Sequence, residues 1–175
     1  WGDATQTISL GWLGGYYNIT FNFSDGSSYV ISNYLVRYYV SLSYNAVDTA
    51  INLYMQASVS TWGNISIPVY IDVIVGAGAI VGGTSTLPAF TDVPPTGSSW
   101  PTLSAYYLQI QSNAYVVGCG GNGGASNASG TSSFDSTPTV GGTAMNLSDT
   151  TIVKTIVNNG IIGGGGGGGG AARSE

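Results

Sequence analysis

Seven aspartates, one glutamate, one cysteine and no histidine are the reactive groups of this chain. Without histidine, Ser–His–Asp and Cys–His nucleophilic catalysis are excluded, and the commonest metal ligand is missing. Paired carboxylates could hydrolyse glycosidic bonds, but the aspartates stand singly along the chain. Asp25 reads as a turn residue, Asp48 as a carboxylate in the first turn of a helix, and Asp135 and Asp149 as loop residues. Asp72 sits in an apolar run, where a carboxylate is expected to be paired or hydrogen-bonded. Gly118-Cys119-Gly120-Gly121-Asn122-Gly123 fits the G-x-G-x-x-G pattern. That fingerprint needs a helix opening behind it, and no helical pattern follows. No Walker-type lysine follows any glycine run. A lone Cys119 excludes an internal disulfide and a cysteine-rich metal site, and reads as a small packed residue. The expectation is no catalytic residue, no cofactor and no metal.

At 175 residues and 43% hydrophobic content, the chain can build one core, or a core plus a smaller module. Its only cations are Arg37, Lys154 and Arg173. Nothing basic is available for a phosphate backbone, so no nucleic-acid partner is expected. No apolar run reaches the roughly 18 residues of a membrane span, so the protein is expected not to insert in a membrane. The surface has to be made of Ser, Thr, Asn, Gly and Tyr, as in many proteins that work outside cells. The chain begins at Trp1, which implies a processed protein or a fragment. Five N-x-S/T sequons, at Asn18, Asn22, Asn64, Asn127 and Asn146, compare with about three expected by chance. They support an alternative reading, a secreted and N-glycosylated extracellular filament or surface-layer subunit. Twelve tyrosines and four tryptophans supply rigid contact area suited to adhesion. Tyr38, Tyr39 and Tyr70 are expected to fill a sheet.

Tyr16 to Phe23 alternates apolar and polar residues, Asp25-Gly26 is a hairpin signal, and Tyr29-Val30-Ile31 and Tyr34 to Leu42 are rich in β-branched and aromatic residues. Several strands in so short a stretch predict an antiparallel sheet. Ala46, Ala50, Leu53 and Ala57 recur at helical spacing and predict one short helix near 46–59, with Asn45 as N-cap and Trp62-Gly63-Asn64 as its end. Ile67 to Val75 reads as a strand covered on both faces, and Tyr106 to Val117 as a further strand. Between them runs a Pro-rich loop holding Thr84-Ser85-Thr86, anchored by Phe90 and Trp100.

From Gly118 the composition changes, with seventeen glycines up to Gly170, eight of them consecutive from Gly163. Each glycine loses about 1 kcal/mol more backbone entropy than alanine on folding. Packed glycine is therefore worthwhile only where backbones approach too closely for a side chain. Three segments share one pattern of β-branched strand, small-residue turn, short apolar pair and glycine: Ile74–Gly83, Ile110–Gly118 and Ile156–Gly163. Repeats of one supersecondary unit stack to bury a shared face, which favours packed over flexible glycine. A mainly-β domain over 1–117 and a glycine-rich module over 118–175 follow.

The ordered set of strand, Asn-rich turn, glycine tract (Ser112 to Gly124), Gly141-Gly142-Thr143-Ala144, and Ile156 through Gly170 resembles the glycine-rich region of tailed-bacteriophage receptor-binding tail proteins. Asp72 to Phe90 is similar to the segment before that region in tail-fibre tips of lambda-like phages. The resemblance spans about residues 46–170, and residues 1–45 match nothing recognisable. It implies bundled polyglycine II helices, which rise about 3.1 Å per residue and would make Gly163–Gly170 a rod of roughly 25 Å. Gly120, Gly121, Gly123, Gly124, Gly141, Gly142, Gly163, Gly166 and Gly170 are its structural glycines. It implies a virion protein of the tail tip or tail fibre, a homotrimer, and a partner that is a bacterial outer-membrane protein or surface glycan. Receptor contact falls to the loop around residues 125–139, with Asn122, Ser126, Asn127, Phe134, Asp135 and Thr137. The family usually continues beyond the last tract, so a receptor-contacting end beyond Glu175 is also expected.

Overall fold

A computed structural model describes residues 14–61, 66–126, 134–136 and 138–169, with the backbone alone at 125–126 and 134–136. The chain opens with a hairpin of β1 (Gly15–Asn22) and β2 (Ser28–Val36), antiparallel, with a bulge between Tyr17 and Ile19. Asp25 accepts from the backbone and hydroxyl of Ser27, and Gly26 takes φ 84°, so the turn signal at Asp25-Gly26 is the turn.

Beyond the hairpin the chain winds as a three-faced parallel solenoid. The first coil is β3 (Tyr38–Tyr44), β4 (Val47–Thr49) and β5 (Ile51–Asn52), followed by α1 (Leu53–Ser60). The second is β6 (Val69–Val75), β7 (Ile80–Gly82) and β8 (Phe90–Thr91). The third begins with β9 (Ala105–Ile110) and β10 (Tyr115–Val117). It is then interrupted by an excursion carrying β11 (Ala125–Ser126) and β12 (Phe134–Ser136), and resumes at β13 (Met145–Asn146). The last coil has β14 (Val153–Asn158) and β15 (Ile161–Gly163). Corresponding strands stack into three sheets, β14-β9-β6-β3, β15-β10-β7-β4 and β13-β8-β5, parallel throughout.

The fold is mainly β with one short helix, as the sequence predicts, but the expected antiparallel domain is corrected. Only the hairpins β1–β2 and β11–β12 are antiparallel among the described residues. Local strand patterns cannot tell a neighbour in the next turn of chain from one a full coil away. In this fold the partner of Val40 is Ile71, and the partner of Ile71 is Tyr106.

Alternation along each strand builds the core. Val69, Ile71, Val73 and Val75 of β6 are fully buried, and so are Leu108 and Ile110 of β9. A fully buried side chain of this size contributes about 1.5–3 kcal/mol. Their outward neighbours Tyr70, Asp72 and Ile74 are half-buried, so β6 is not covered on both faces. Asp72 lies on this outer face, where it accepts the hydroxyl of Tyr39 at 3.0 Å. That bond, more than burial or the charge of Asp72, raises the Tyr39 pKa. Tyr39 does not fill the sheet; it is 58% exposed and stacks on Tyr70 at 6.1 Å. Phe90 and Trp100 are buried, and the Trp100 indole donates to the carbonyl of Asp92 at 2.7 Å.

The helix starts at Leu53, not near residue 46. Ala50 has φ 52°, a left-handed conformation that no α-helix continues through, and Asn52 rather than Asn45 is the N-cap, accepting from Met55. Thr61 closes the helix by donating to the Ala57 carbonyl, while Trp62–Asn64 lie outside the described residues. The stretch 42–49 is instead a fourth copy of the strand–turn–strand unit. In two of these copies the turn residue is left-handed, Gly78 at φ 79° and Asn113 at φ 62°. The predicted strand Tyr106–Val117 is accordingly two strands hinged at Gln111–Ala114.

Tyr44, packed edge-on against Phe90 at 5.8 Å, has a buried hydroxyl without a hydrogen-bond partner among the described residues. Burial, and then the charge of Asp48, push its pKa up to about 12. An unfolded tyrosine ionises near pH 10, so this contribution to stability is complete below about pH 10 and lost as pH rises through about 12. Tyr44→Phe is therefore expected to be neutral or stabilising at pH 7 and to lose stability less steeply between pH 10 and 12 in urea denaturation. A variant destabilised at pH 7 would contradict this reading.

Candidate functional site

At the end of β10 the third coil does not turn its corner. The strand pair β10–β15, in register from Tyr115–Ile161 to Val117–Gly163, runs on out of the sheet. The backbone N–H of Gly118 donates to Gly163, that of Gly121 to Gly166 and that of Gly124 to Gly169, at 2.7–2.9 Å. A third segment, residues 138–142, returns alongside both. Thr139 and Gly142 donate to Asn122 and Cys119, while Gly165 and Gly168 donate to Gly142 and Thr139. Each segment thus donates to the next around a closed ring of three, one bond every third residue. Among the described residues no helix follows Gly118–Gly123, so the G-x-G-x-x-G match belongs to an extended segment.

Glycine is required at every third position along the segments of this ring. A methyl group on Gly165 would overlap the Cys119 carbonyl, and one on Gly168 the Asn122 carbonyl. Likewise Gly118 would meet Gly142, Gly121 would meet Thr139, and Gly141 would meet Gly165. Gly120, Gly163, Gly166 and Gly169 face open space. Of the glycines singled out from the sequence, Gly121, Gly141 and Gly142 are close-packed, with Gly142 against Cys119. Gly123 is in ordinary contact, and Gly124 takes part through its N–H. Gly120, Gly163 and Gly166 have room for a side chain, although the carbonyls of Gly163 and Gly166 are acceptors in the ring. Gly170 lies outside the described residues. Gly118 ends the Ile110–Gly118 repeat, Gly165 and Gly168 lie in the expected Gly163–Gly170 rod and Thr139 ends the expected loop, but nothing in the sequence marks which of these positions faces a neighbour.

Between the outgoing and returning segments the chain reverses in the β11–β12 ladder, where Ser126 pairs with Phe134 and Ala125 with Ser136. Ser126, Phe134 and Asp135 are thereby brought into one short hairpin. Asn122 sits below it, tied by its N–H to the Thr139 hydroxyl at 2.7 Å. Asn127 and Thr137 lie outside the described residues.

Where the chain re-enters the solenoid, one charged cluster seals the core. Lys154 takes the inward position above Tyr106 in the ladder Val40–Ile71–Tyr106–Lys154. Its ammonium donates to Asp92 at 2.6 Å and to the carbonyls of Leu147 and Asp149. Asp92 is fully buried and also accepts the Tyr106 hydroxyl and the N–H of Asp149. Burial, and then Asp92, raise the Tyr106 pKa. Burial pushes Asp149 up, but hydrogen bonds from Thr151 outweigh it and hold that carboxyl low. Asp92 and Asp149 are brought together, but every contact of Asp92 is structural and it is closed to solvent. The Ile152, Lys154, Ile156 alternation was the sequence signal for an inward lysine; Asp92 had none.

A family model described as phage tail fibre adhesin Gp38 matches residues 39–175. No curated protein and no solved structure matches the chain. The match begins within β3, the first strand of the solenoid, and runs through every coil and glycine segment.

A three-residue period in substitution tolerance follows from the ring. Gly165→Ala and Gly168→Ala are expected to cost about 1–3 kcal/mol by overpacking. Gly166→Ala is expected to be neutral or to stabilise by up to about 1 kcal/mol through the unfolded chain. Thermal melts of the three variants check this, and equal losses at 165 and 166 would show that the register is wrong.

Proposed function

The chain belongs to the phage tail fibre adhesin Gp38 family, a receptor-binding protein of the virion tail, and from that premise we propose how it presents its receptor-binding surface. Residues 118–175 act as a glycine-rich receptor-binding module of polyglycine II type, held by the mainly-β part of the chain. The closed ring of hydrogen bonds with its period of three supports this reading, since it matches a threefold extended helix with backbone groups paired laterally. Side chains would push such segments apart, so glycine here is structural.

The surface that meets the host is the hairpin at the end of the excursion, with Ser126, Phe134 and Asp135 in its ladder and Asn122 below it, together with Asn127 and Thr137, which adjoin it in sequence. Its support is the placement of Ser126, Phe134 and Asp135 in one ladder where the glycine segments end. The mechanism is adhesion without catalysis. A pre-organised mount limits the ordering entropy lost when the loop docks on a bacterial outer-membrane protein or surface glycan.

Replacement of residues 125–137 by a Gly-Ser linker of equal length tests the assignment. Binding of the purified chain to receptive bacterial cells is expected to disappear, with the circular dichroism spectrum and melting temperature retained. Binding that survives would move the receptor surface elsewhere.

Threefold fibres imply a trimer of this chain. Light scattering of the purified protein decides it: three times the 17.8 kDa chain mass supports the trimer, and 17.8 kDa overturns it.

A further inference from the structure

Below the glycine segments the second-coil corner loop, residues 84–88, faces the returning segment 141–146 across a cleft of about 490 Å³. The two walls are fixed to the solenoid by bonds on either side. Gly83 donates to Val117, and Phe90 donates to Ala144. The loop is stiffened from within, because the Thr84 hydroxyl accepts the N–H groups of Leu87 and Thr86. The cleft is thus built by two rigid walls, and its volume lies in the range of small-molecule sites.

Its lining selects a class of ligand. Thr84, Ser85, Thr86 and Thr143 contribute hydroxyls, and Asn146 contributes an amide. These groups both donate and accept. The side chains of Ser85, Thr143 and Asn146 make no hydrogen bond within the described chain. Leu87 and Met145 add an apolar patch. Among the described residues no charged one lines the cleft, and the chain carries a net charge of −5. Lys154 is committed to Asp92. A phosphate or carboxylate would therefore find no counter-charge and a repulsive field. A sugar ring matches: its hydroxyls both donate and accept, and one face is C–H.

We propose that this cleft binds a neutral saccharide, a hexose or N-acetylhexosamine unit, as a second contact beside the hairpin tip. The proposal rests on the adhesin reading and adds a ligand class to it. A cleft at the root of the excursion and a loop at its end would engage a cell surface together, and linked contacts raise avidity beyond either alone.

The chain has two methionines, one in the cleft and one, Met55, on the helix. Titration of [¹³C-methyl]methionine protein with D-glucose, D-galactose, N-acetyl-D-glucosamine and, as the charged comparison, D-glucuronate reads the site directly. At least one neutral sugar is expected to shift the Met145 methyl saturably, with a Kd on the order of 1 mM, and to leave Met55 unmoved. Glucuronate is expected to bind at least tenfold more weakly. Ser85→Trp on one wall and Thr143→Trp on the other are each expected to abolish the shift, with an unchanged Met55 resonance reporting intact folding. No saturable shift with any neutral sugar, tighter binding of glucuronate, parallel movement of Met55, or a shift that survives both folded tryptophan variants would overturn the proposal. Cell binding is measured on the same samples. Loss of the cleft with cell binding intact rejects this site alone, whereas the tip-loop replacement bears on the hairpin alone.

Discussion

The pairing of β10 with β15 is the constraint on which the rest depends. Within the solenoid it is one step of a parallel sheet, Val116 lying over Val81 and under Ile162. Beyond Val117 the same two chains keep their register with no side chains between them. Their backbones can then come near enough for the returning segment 138–142 to close the ring. The turn that feeds β15 is as tightly made. Any side chain on Gly160 would press on Ala114, Gln111 and Ile110 of the coil below. A slip there would displace every bond from Gly118–Gly163 outward, so the solenoid sets the phase of the glycine segments. The segments in turn fix the ends of the hairpin.

Much of this was legible in the sequence, and the illegible parts share a cause. The Asp25-Gly26 turn, the alternation of β1, the buried Phe90 and Trp100, and the repeated strand–turn–glycine unit are local signals, and each corresponds to what the structure contains. The first coil was misread because Ala46, Ala50, Leu53 and Ala57 keep helical spacing across a chain that is strand, corner and helix in turn. Only the backbone at Ala50 breaks the run, and an alanine does not announce a positive φ. Asn45-Ala46-Val47 nonetheless parallels Asn113-Ala114-Tyr115, the clue to a fourth copy. Parallel pairing was hidden for a different reason. Its partners are a coil apart, and nothing within one strand encodes that distance.

The candidate site shows the same division. The strand–turn–glycine repeat favours packed glycine, yet only the neighbouring segments decide that Gly165 and Gly168 are crowded while Gly166 is open. The family resemblance groups Ser126, Phe134 and Asp135 in one receptor-contacting loop, and the β11–β12 ladder joins them.

Sparse charge makes the Lys154–Asp92 ion pair, the one found among the described residues, informative. Breaking a buried pair typically costs about 3–5 kcal/mol, although apolar replacement of both partners is often neutral. Lys154–Asp92 therefore argues for specificity of position more than for net stability. An aliphatic residue at 154 would continue the Val40–Ile71–Tyr106 stack and present another apolar layer at the last coil, where solenoids are prone to add copies. The lysine ends the stack instead. It ties the last coil to the loop after β8 through Asp92 and to the chain after β13 through Leu147 and Asp149. β8 and β13 are neighbours in one sheet, and β13 is where the excursion rejoins the solenoid. The charge thus sits where the end of the core and the root of the glycine segments must hold one geometry.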